Sequence, residues 1–474
     1  MNSIFVILVI YLVALLGIGV YFSRRNKNVN DFLLAGRGLP VWAATLTMTA
    51  PMFGGGLLLG RAQYGYNNGL MVLVYCCLPF ISHPLLALLL PRMEGFQSFT
   101  TVTEYLEKRY DSRFLRVVCG ILSMVAMIGI TASQVTAAVG AMTSMGIGNP
   151  QVSAVIFMTV IIALTVMGGL WAVTATDVFQ IVLVLIGIVW VFFMVMGDIG
   201  GFSNLASMLS ASQEVLPTDY AKVVTPDKAI ALAWLIVPST MYMLIGQDGY
   251  QRLFSSKNMK DARKVTMYSS VLIVFLSMMP AIIGIVARIQ HPELAAAGAS
   301  ASTLTHMILK YLPGAASGFL CVSLLSAILS TADSLLTAAT SHFINDFWVL
   351  YVDKDINFDD RKLLWVSRIF TMVIGVLALV ISMFMTDIIS SIIYFYTIYT
   401  SGAFTPIVIG CLWKGANRYG AIAGMFVGII VAIIGIMGFK IGSLPGELLS
   451  VVAAVFFTVF VSLATKSKQS TPAA

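Results

Sequence analysis

The chain alternates between long apolar blocks and short polar connections. Residues 4–22, 117–147 and 178–197 each run without a single Asp, Glu, Lys or Arg. About 20 such residues cross a hydrocarbon core of roughly 30 Å as a helix. The blocks lack the regularly spaced polar face that a surface helix of a soluble protein carries. Read in order, they predict thirteen helices, near 4–22, 42–66, 70–90, 114–146, 151–170, 175–197, 228–249, 265–287, 313–342, 367–386, 388–411, 419–439 and 446–465. The pattern is that of an all-α polytopic membrane protein.

Two of these helices carry interruptions. In 42–66 the run Pro51-Met52-Phe53-Gly54-Gly55-Gly56 falls at membrane mid-depth, and in 228–249 the run Val237-Pro238-Ser239-Thr240 does something similar. Proline removes a backbone donor, and glycine costs about 1 kcal/mol in a helix interior. Lipid tolerates such breaks only where the freed backbone groups line a cavity or find other partners. Paired interruptions in two halves of a chain mark the mid-membrane site of a transporter; the plainer account is two proline kinks.

Span 313–342 has a polar stripe. Ser323, Ser326, Ser330, Asp333, Ser334, Thr337 and Ser341 recur at helical spacing and share one face over about five turns. An aspartate inside the membrane is costly and points to function. Hydroxyls beside a carboxylate are hard oxygen donors suited to a hard cation. Ser330 and Thr331 with the carbonyl of Ala327 offer three oxygens, and carbonyls of the first broken helix offer two more. Close packing through small hydroxyl residues accounts for Ser323 and Ser341 but not for Asp333.

Composition agrees with the pattern: 59% of the 474 residues are hydrophobic and 10% charged, against roughly 45–50% and 25% in soluble domains. The net charge of +7 does not indicate a nucleic-acid partner, because the basic residues are spread over short loops. With the N-terminus outside, 22 of the 28 Lys and Arg residues face inward, among them Arg24, Arg25, Lys27, Arg37, Arg109, Arg116, Arg252, Lys354, Lys414 and Lys468. That bias places the C-terminus in the cytoplasm and the protein in the plasma membrane. The first block has no basic residue before it and no cleavage site after it, so it reads as a retained span. No linker divides the chain, which reads as one membrane domain over 1–474.

Five cysteines lie inside apolar segments without a CxxC pair, so neither a disulfide framework nor a zinc site is expected. The four histidines, His83, His291, His306 and His342, are scattered. With no HExxH and no GxSxG, an enzyme is not expected. A channel fits less well than alternating access around broken helices.

Five segments then bring a family into view. Asp31-Phe32-Leu33-Leu34-Ala35-Gly36-Arg37 resembles a DxFLAGR loop, and Glu104 to Tyr110 an EYLxxRF segment. Gly168 to Gln180 resembles GGxxxVxxTDxxQ. Gln247 to Arg252 and Ser330-Thr331-Ala332-Asp333-Ser334 complete the set. Together they resemble the sodium:solute symporter family. The resemblance implies a leucine-transporter-type fold of five plus five inverted helices, with repeats at 42–197 and 228–411, one helix before them and two after (419–465). It implies Na+ as coupling ion, with no other cofactor, held by Ala50, Phe53, Ala327, Ser330 and Thr331. A second ion, sodium or a proton, would involve Asp177, Ser330, Asp333 and Ser334.

Solute contacts implied by the same resemblance are Ser239 and Tyr242, with Met52, Gly54, Leu57, Gln134, Tyr396 and Tyr399 as weaker candidates. The implied activity is import of a small polar solute, an amino acid, carboxylate or similar metabolite. Proton coupling through Asp333 or Asp177 is the alternative. The run Thr47-Met48-Thr49-Ala50 with Gly54-Gly55-Gly56 resembles the choline-transporting branch, but Met52 stands where that branch has an aromatic residue, and a quaternary amine needs an aromatic cage. Arg61 is expected to snorkel to the outer headgroups, the alternative being attraction of a carboxylate-bearing solute. The expected partners are Na+, the solute and the lipid bilayer, with no obligate protein partner apparent.

Overall fold

Apolar segments in lipid must satisfy every backbone group internally, which leaves the helix as their only open-ended solution. The computed structural model follows that rule. It describes residues 2–23, 28–146, 148–212, 216–296, 299–312, 314–352, 361–385, 387–441 and 444–466. Arg24, Arg25, Lys27, Lys354, Lys468 and the first residue of span 313–342 lie outside the described residues. Among those described, ten helices are long and apolar enough to cross a membrane, or eleven when one bent pair is taken as a single span.

The helices are α1 (Asn2–Ser23), α2 (Val41–Thr49), α3 (Gly55–Asn68), α4 (Met71–Arg92), the short α5 (Glu104–Tyr110), α6 (Arg113–Ser144) and α7 (Pro150–Asp198). Then follow α8 (Pro226–Ile245), α9 (Gln247–Phe254), α10 (Met259–Gln290), α11 (Thr303–Tyr311) and α12 (Ala315–His342). The last are α13 (Arg361–Ser382), α14 (Ile388–Phe404), α15 (Arg418–Ile436) and α16 (Gly446–Ala464).

Helix α12 is the axis of the molecule. It packs against α1, α6 and α7, and 94% of its apolar window is buried, against 33% for α13 and α16. The polar stripe therefore meets protein and never lipid. Helices α15 and α16 pair with each other along their lengths through Gly420 and Gly424, while Gly428 lies against the backbone of Ser401 in α14, small residues that let two backbones approach.

Two helices expected separately, 151–170 and 175–197, join in the 49-residue α7, which is interrupted at Gly169 (φ 51°, ψ −161°). A continuous helix of that length would measure about 74 Å, far beyond a bilayer core. Gly169 is required there: its φ is positive, and a Cβ would lie 2.7 Å from the carbonyl oxygen of Phe32. The DxFLAGR segment thus packs on Gly169 of the TD motif.

The first break lies where expected. Helix α2 gives way to a tight turn over Ala50–Phe53, and the segments on either side of Gly54 are bent by 50°. The second does not. Helix α8 runs through Pro238 and breaks at Gly246, whose ψ is 123°. Proline removes only one donor, whereas at Gly246 the freed carbonyls are collected by side chains. The Tyr250 hydroxyl donates to Leu244 O (3.1 Å) and the Tyr399 hydroxyl to Ile245 O (2.9 Å).

The loops rich in basic residues gather at one end. Arg37 donates to the carbonyls of Gln97 (2.6 Å) and Phe99 (3.0 Å), and Arg109 caps the carbonyls of Gly410, Lys414 and Ala416 at 3.1 Å each. Arg116 pairs with Asp346 and Glu107, both at 2.7 Å. Arg61, Lys228, Arg288 and Lys310 belong to the opposite half: Lys228 donates to Asn68 O, Arg288 lies over Tyr66 and Lys310 donates to Gln290.

Candidate functional site

The break at Gly54 leaves two kinds of unsatisfied backbone group. The orphan N–H at the start of α3 goes to α6, where Gln134 Oε1 accepts from Gly55 N at 2.7 Å. The freed carbonyl goes to α12, where Thr331 Oγ1 donates to Pro51 O at 2.7 Å and to Ala327 O at 3.1 Å. A Cβ at Gly54 would lie 2.8 Å from Thr331 Cβ, so glycine allows the close approach.

Beside this junction lies a cavity of about 710 Å³, its open mouth included. Met52, Gly54, Leu57, Gln134, Ser239, Tyr242 and Tyr396 line it, together with Thr331. Tyr242 and Tyr396 stack at 4.0 Å, and the Tyr242 hydroxyl donates to Asp248 at 3.0 Å. Tyr399 is not in the lining; it is fully buried behind Tyr242, and its hydroxyl serves the break at Ile245.

Arg61 is the second departure. It does not snorkel outward: it is 6% exposed and lines the cavity, with its guanidinium carbon 3.1 Å from the ring centroid of Tyr75. Its Nε and Nη1 are buried without a hydrogen-bond partner. The Gly54 bend redirects α3, and an arginine one to two turns beyond it faces inward over an aromatic ring.

Five hydroxyls of the polar stripe divide into two sets. Ser323, Thr337 and Ser341 return their hydroxyls to their own helix, at the carbonyls of Phe319, Asp333 and Thr337. Ser330 and Ser334 reach across. Ser330 Oγ donates to Asp177 Oδ1 at 2.5 Å, Thr47 donates to Asp177 Oδ2, and Arg252 donates to Ser334. Arg252 also pairs with Asp177 at 3.4 Å, both side chains fully buried, and its Nε donates to Thr47 O. One buried ion pair thus joins α2, α7, α9 and α12.

Asp333 is 1% exposed, with Ser334 beside it and Asp177 and Arg252 as its charged neighbours. Of the five oxygens expected around a sodium ion, the structure brings Thr331 and Ala327 to the break at Pro51, next to Ala50 and Phe53, and turns the Ser330 hydroxyl toward Asp177. Sequence reasoning singled out neither Arg252 as the partner of Asp177 nor Tyr75 under Arg61. Only the position of Arg252 within a family motif marked it.

The model of the sodium:solute symporter family matches residues 32–428, most of the chain. The chain belongs to the sodium:solute symporter family. Among its relatives are a sodium/glucose cotransporter of Vibrio parahaemolyticus, 23% identical over 98% of this chain and 90% of that protein. The osmoregulated proline transporter of Bacillus subtilis is 25% identical over 96% of this chain and 94% of its own length. A solved structure of a substrate-bound, outward-open Na+-coupled sialic acid symporter superposes with a TM-score of 0.84 at 21% identity, covering 99% of this chain and 98% of that one. The chain therefore shares its fold with that symporter.

Proposed function

We propose that the protein couples sodium entry to import of a small solute bearing a carboxylate, by alternating access around the Gly54 break. The observation that carries this reading is the cavity itself, where the broken backbone, the Thr331 hydroxyl and the guanidinium of Arg61 meet, with Nε and Nη1 of Arg61 lacking a hydrogen-bond partner. Sodium takes carbonyls of Ala50, Phe53 and Ala327 with the hydroxyls of Ser330 and Thr331. That bridges α12 to the break and favours the form that binds solute, so each ligand raises the affinity of the other. Arg61 receives the carboxylate. A guanidinium in the cavity repels a quaternary amine, which argues against the choline reading.

A second reading rests on Asp333. A buried carboxylate whose neighbouring guanidinium is already paired with Asp177 suits a site that takes up a proton or a second cation, with Asp177 and Ser334 beside it. The topology that fits both readings has thirteen crossings. In it α1 crosses once and α7 twice, turning at Gly169, with repeats at 42–197 and 228–411. The N-terminus is outside and the C-terminus cytoplasmic.

The test is uptake by proteoliposomes under a Na+ gradient, a pH gradient or neither, with proline, sialic acid, glucose and myo-inositol as solutes. A carboxylate solute driven by Na+ is expected. Arg61→Gln removes a charge-assisted hydrogen bond worth about 1.5–3 kcal/mol, which weakens that solute by roughly 10- to 150-fold. Unchanged affinity in Arg61→Gln, or preference for an uncharged sugar, overturns the carboxylate assignment; uptake driven by the pH gradient alone favours Asp333.

A further inference from the structure

Two of the scattered histidines meet in the folded chain. His291 closes the C-terminal end of α10, and His306 lies in α11, with their ring centroids 4.6 Å apart. Glu293 Oε1 is 2.7 Å from His291 Nδ1. One donor atom from each of the three lies within 4.8 Å of the others. His291 Nε2 is buried and has no hydrogen-bond partner.

The surroundings hold this group in place without competing for it. The Tyr66 hydroxyl donates to His291 O at 2.7 Å and accepts from Ala295 N at 2.9 Å, which pins the backbone between the ligands. Asp198 accepts from the Tyr311 hydroxyl (2.6 Å) and from Gln290 (3.2 Å), and Lys310 donates to Gln290 (3.0 Å). The nearby carboxylate and ammonium are thereby committed to each other's neighbours, and the end of α10 is tied to α11.

We infer that His291, Glu293 and His306 form a binding site for a transition-metal ion of the zinc class, which fastens the segment after α10 over the end of α3. Two imidazoles and a carboxylate with open positions for water form an established donor set for such ions, with nitrogen to zinc distances of about 2.0–2.1 Å. Glu293 is 64% exposed, so its side chain is free to rotate toward an ion. The segment that the ion would fasten already touches α3, where Gln63 and Asn67 donate to Ser300 Oγ at 3.5 and 3.4 Å. The site stands apart from the cavity and does not depend on which solute or coupling ion is used.

The experiment uses the full-length protein in detergent, with any histidine tag removed, titrated with Zn2+ alone by calorimetry. Hydrogen exchange of residues 291–312 is followed in parallel. One ion is expected to bind with a dissociation constant at or below about 10 µM and to slow exchange in that segment. Losing one ligand should weaken binding by at least about tenfold, the scale at which even outer partners of a metal count. Glu293→Gln and His306→Asn both test this, the first at an exposed position that leaves folding intact, while His306→Cys should keep the site. Absence of binding by the wild type, or affinity equal to the wild type's in Glu293→Gln or His306→Asn, overturns the inference.

Discussion

Replacing Thr331 by valine keeps its shape and removes the hydroxyl that links α12 to the first break. In the structure that hydroxyl donates to Pro51 O at 2.7 Å, and Pro51 is buried. An unsatisfied buried acceptor costs about 1–3 kcal/mol, so Thr331→Val is expected to melt earlier in sodium and in potassium alike. The loss common to both salts reports packing, and only the difference between the salts reports the ion. For the wild type at 100 times its dissociation constant, sodium adds about 2.7 kcal/mol. If the lost oxygen weakens the site tenfold, the same sodium concentration adds about 1.4 kcal/mol, and a hundredfold loss leaves about 0.4 kcal/mol. The assay is thermal unfolding of purified protein in NaCl against KCl at fixed ionic strength and pH, with Ser330→Ala in parallel. Should both variants keep the full sodium increment while melting earlier, the hydroxyls are structural and the ion site lies elsewhere.

Three further outcomes are expected. Arg252→Leu leaves the Asp177 carboxylate buried without its partner; breaking such a pair costs about 3–5 kcal/mol, and Arg252→Leu with Asp177→Asn should recover part of it in detergent melts. Gly169→Ala combines positive φ with contact on Phe32 and should lose at least about 1 kcal/mol, visible as a lower melting temperature; equal stability would refute the close packing of the two motifs. In α5, burial pushes the Glu104 carboxyl up to about 7, against the pull of Arg116. Because the folded form holds its proton more tightly, this group's stabilisation is full below about pH 4.5 and is lost as pH rises through 7. The span amounts to at most about 3 kcal/mol, trimmed by the 17% of the side chain that water reaches. Glu104→Gln should flatten the fall in melting temperature between those pH values, and an unchanged slope would assign the pH dependence to other groups.

Local composition alone dictates where this chain crosses the membrane and where it must break. Hydropathy sets where helices cross, because lipid forbids any other use of an uncharged block of about 20 residues. The break at Gly54 was legible because one proline and three glycines cannot pass as a continuous helix. The stripe on α12 was legible because its spacing is helical and an aspartate does not face lipid. What the tertiary structure decided depends on partners distant in sequence. Pro238 and Gly246 both weaken α8, and the chain breaks at the second because Tyr250 and Tyr399 are there to take the freed carbonyls. Arg61 turns inward because the bend at Gly54 aims it over Tyr75. Ser330 and Ser334 leave the pattern of their stripe because Asp177 and Arg252 arrive from α7 and α9. His291 and His306 become neighbours only because the chain folds back between α10 and α11. Each of these contacts is a pairing energy, and no window of sequence contains both halves of the pair.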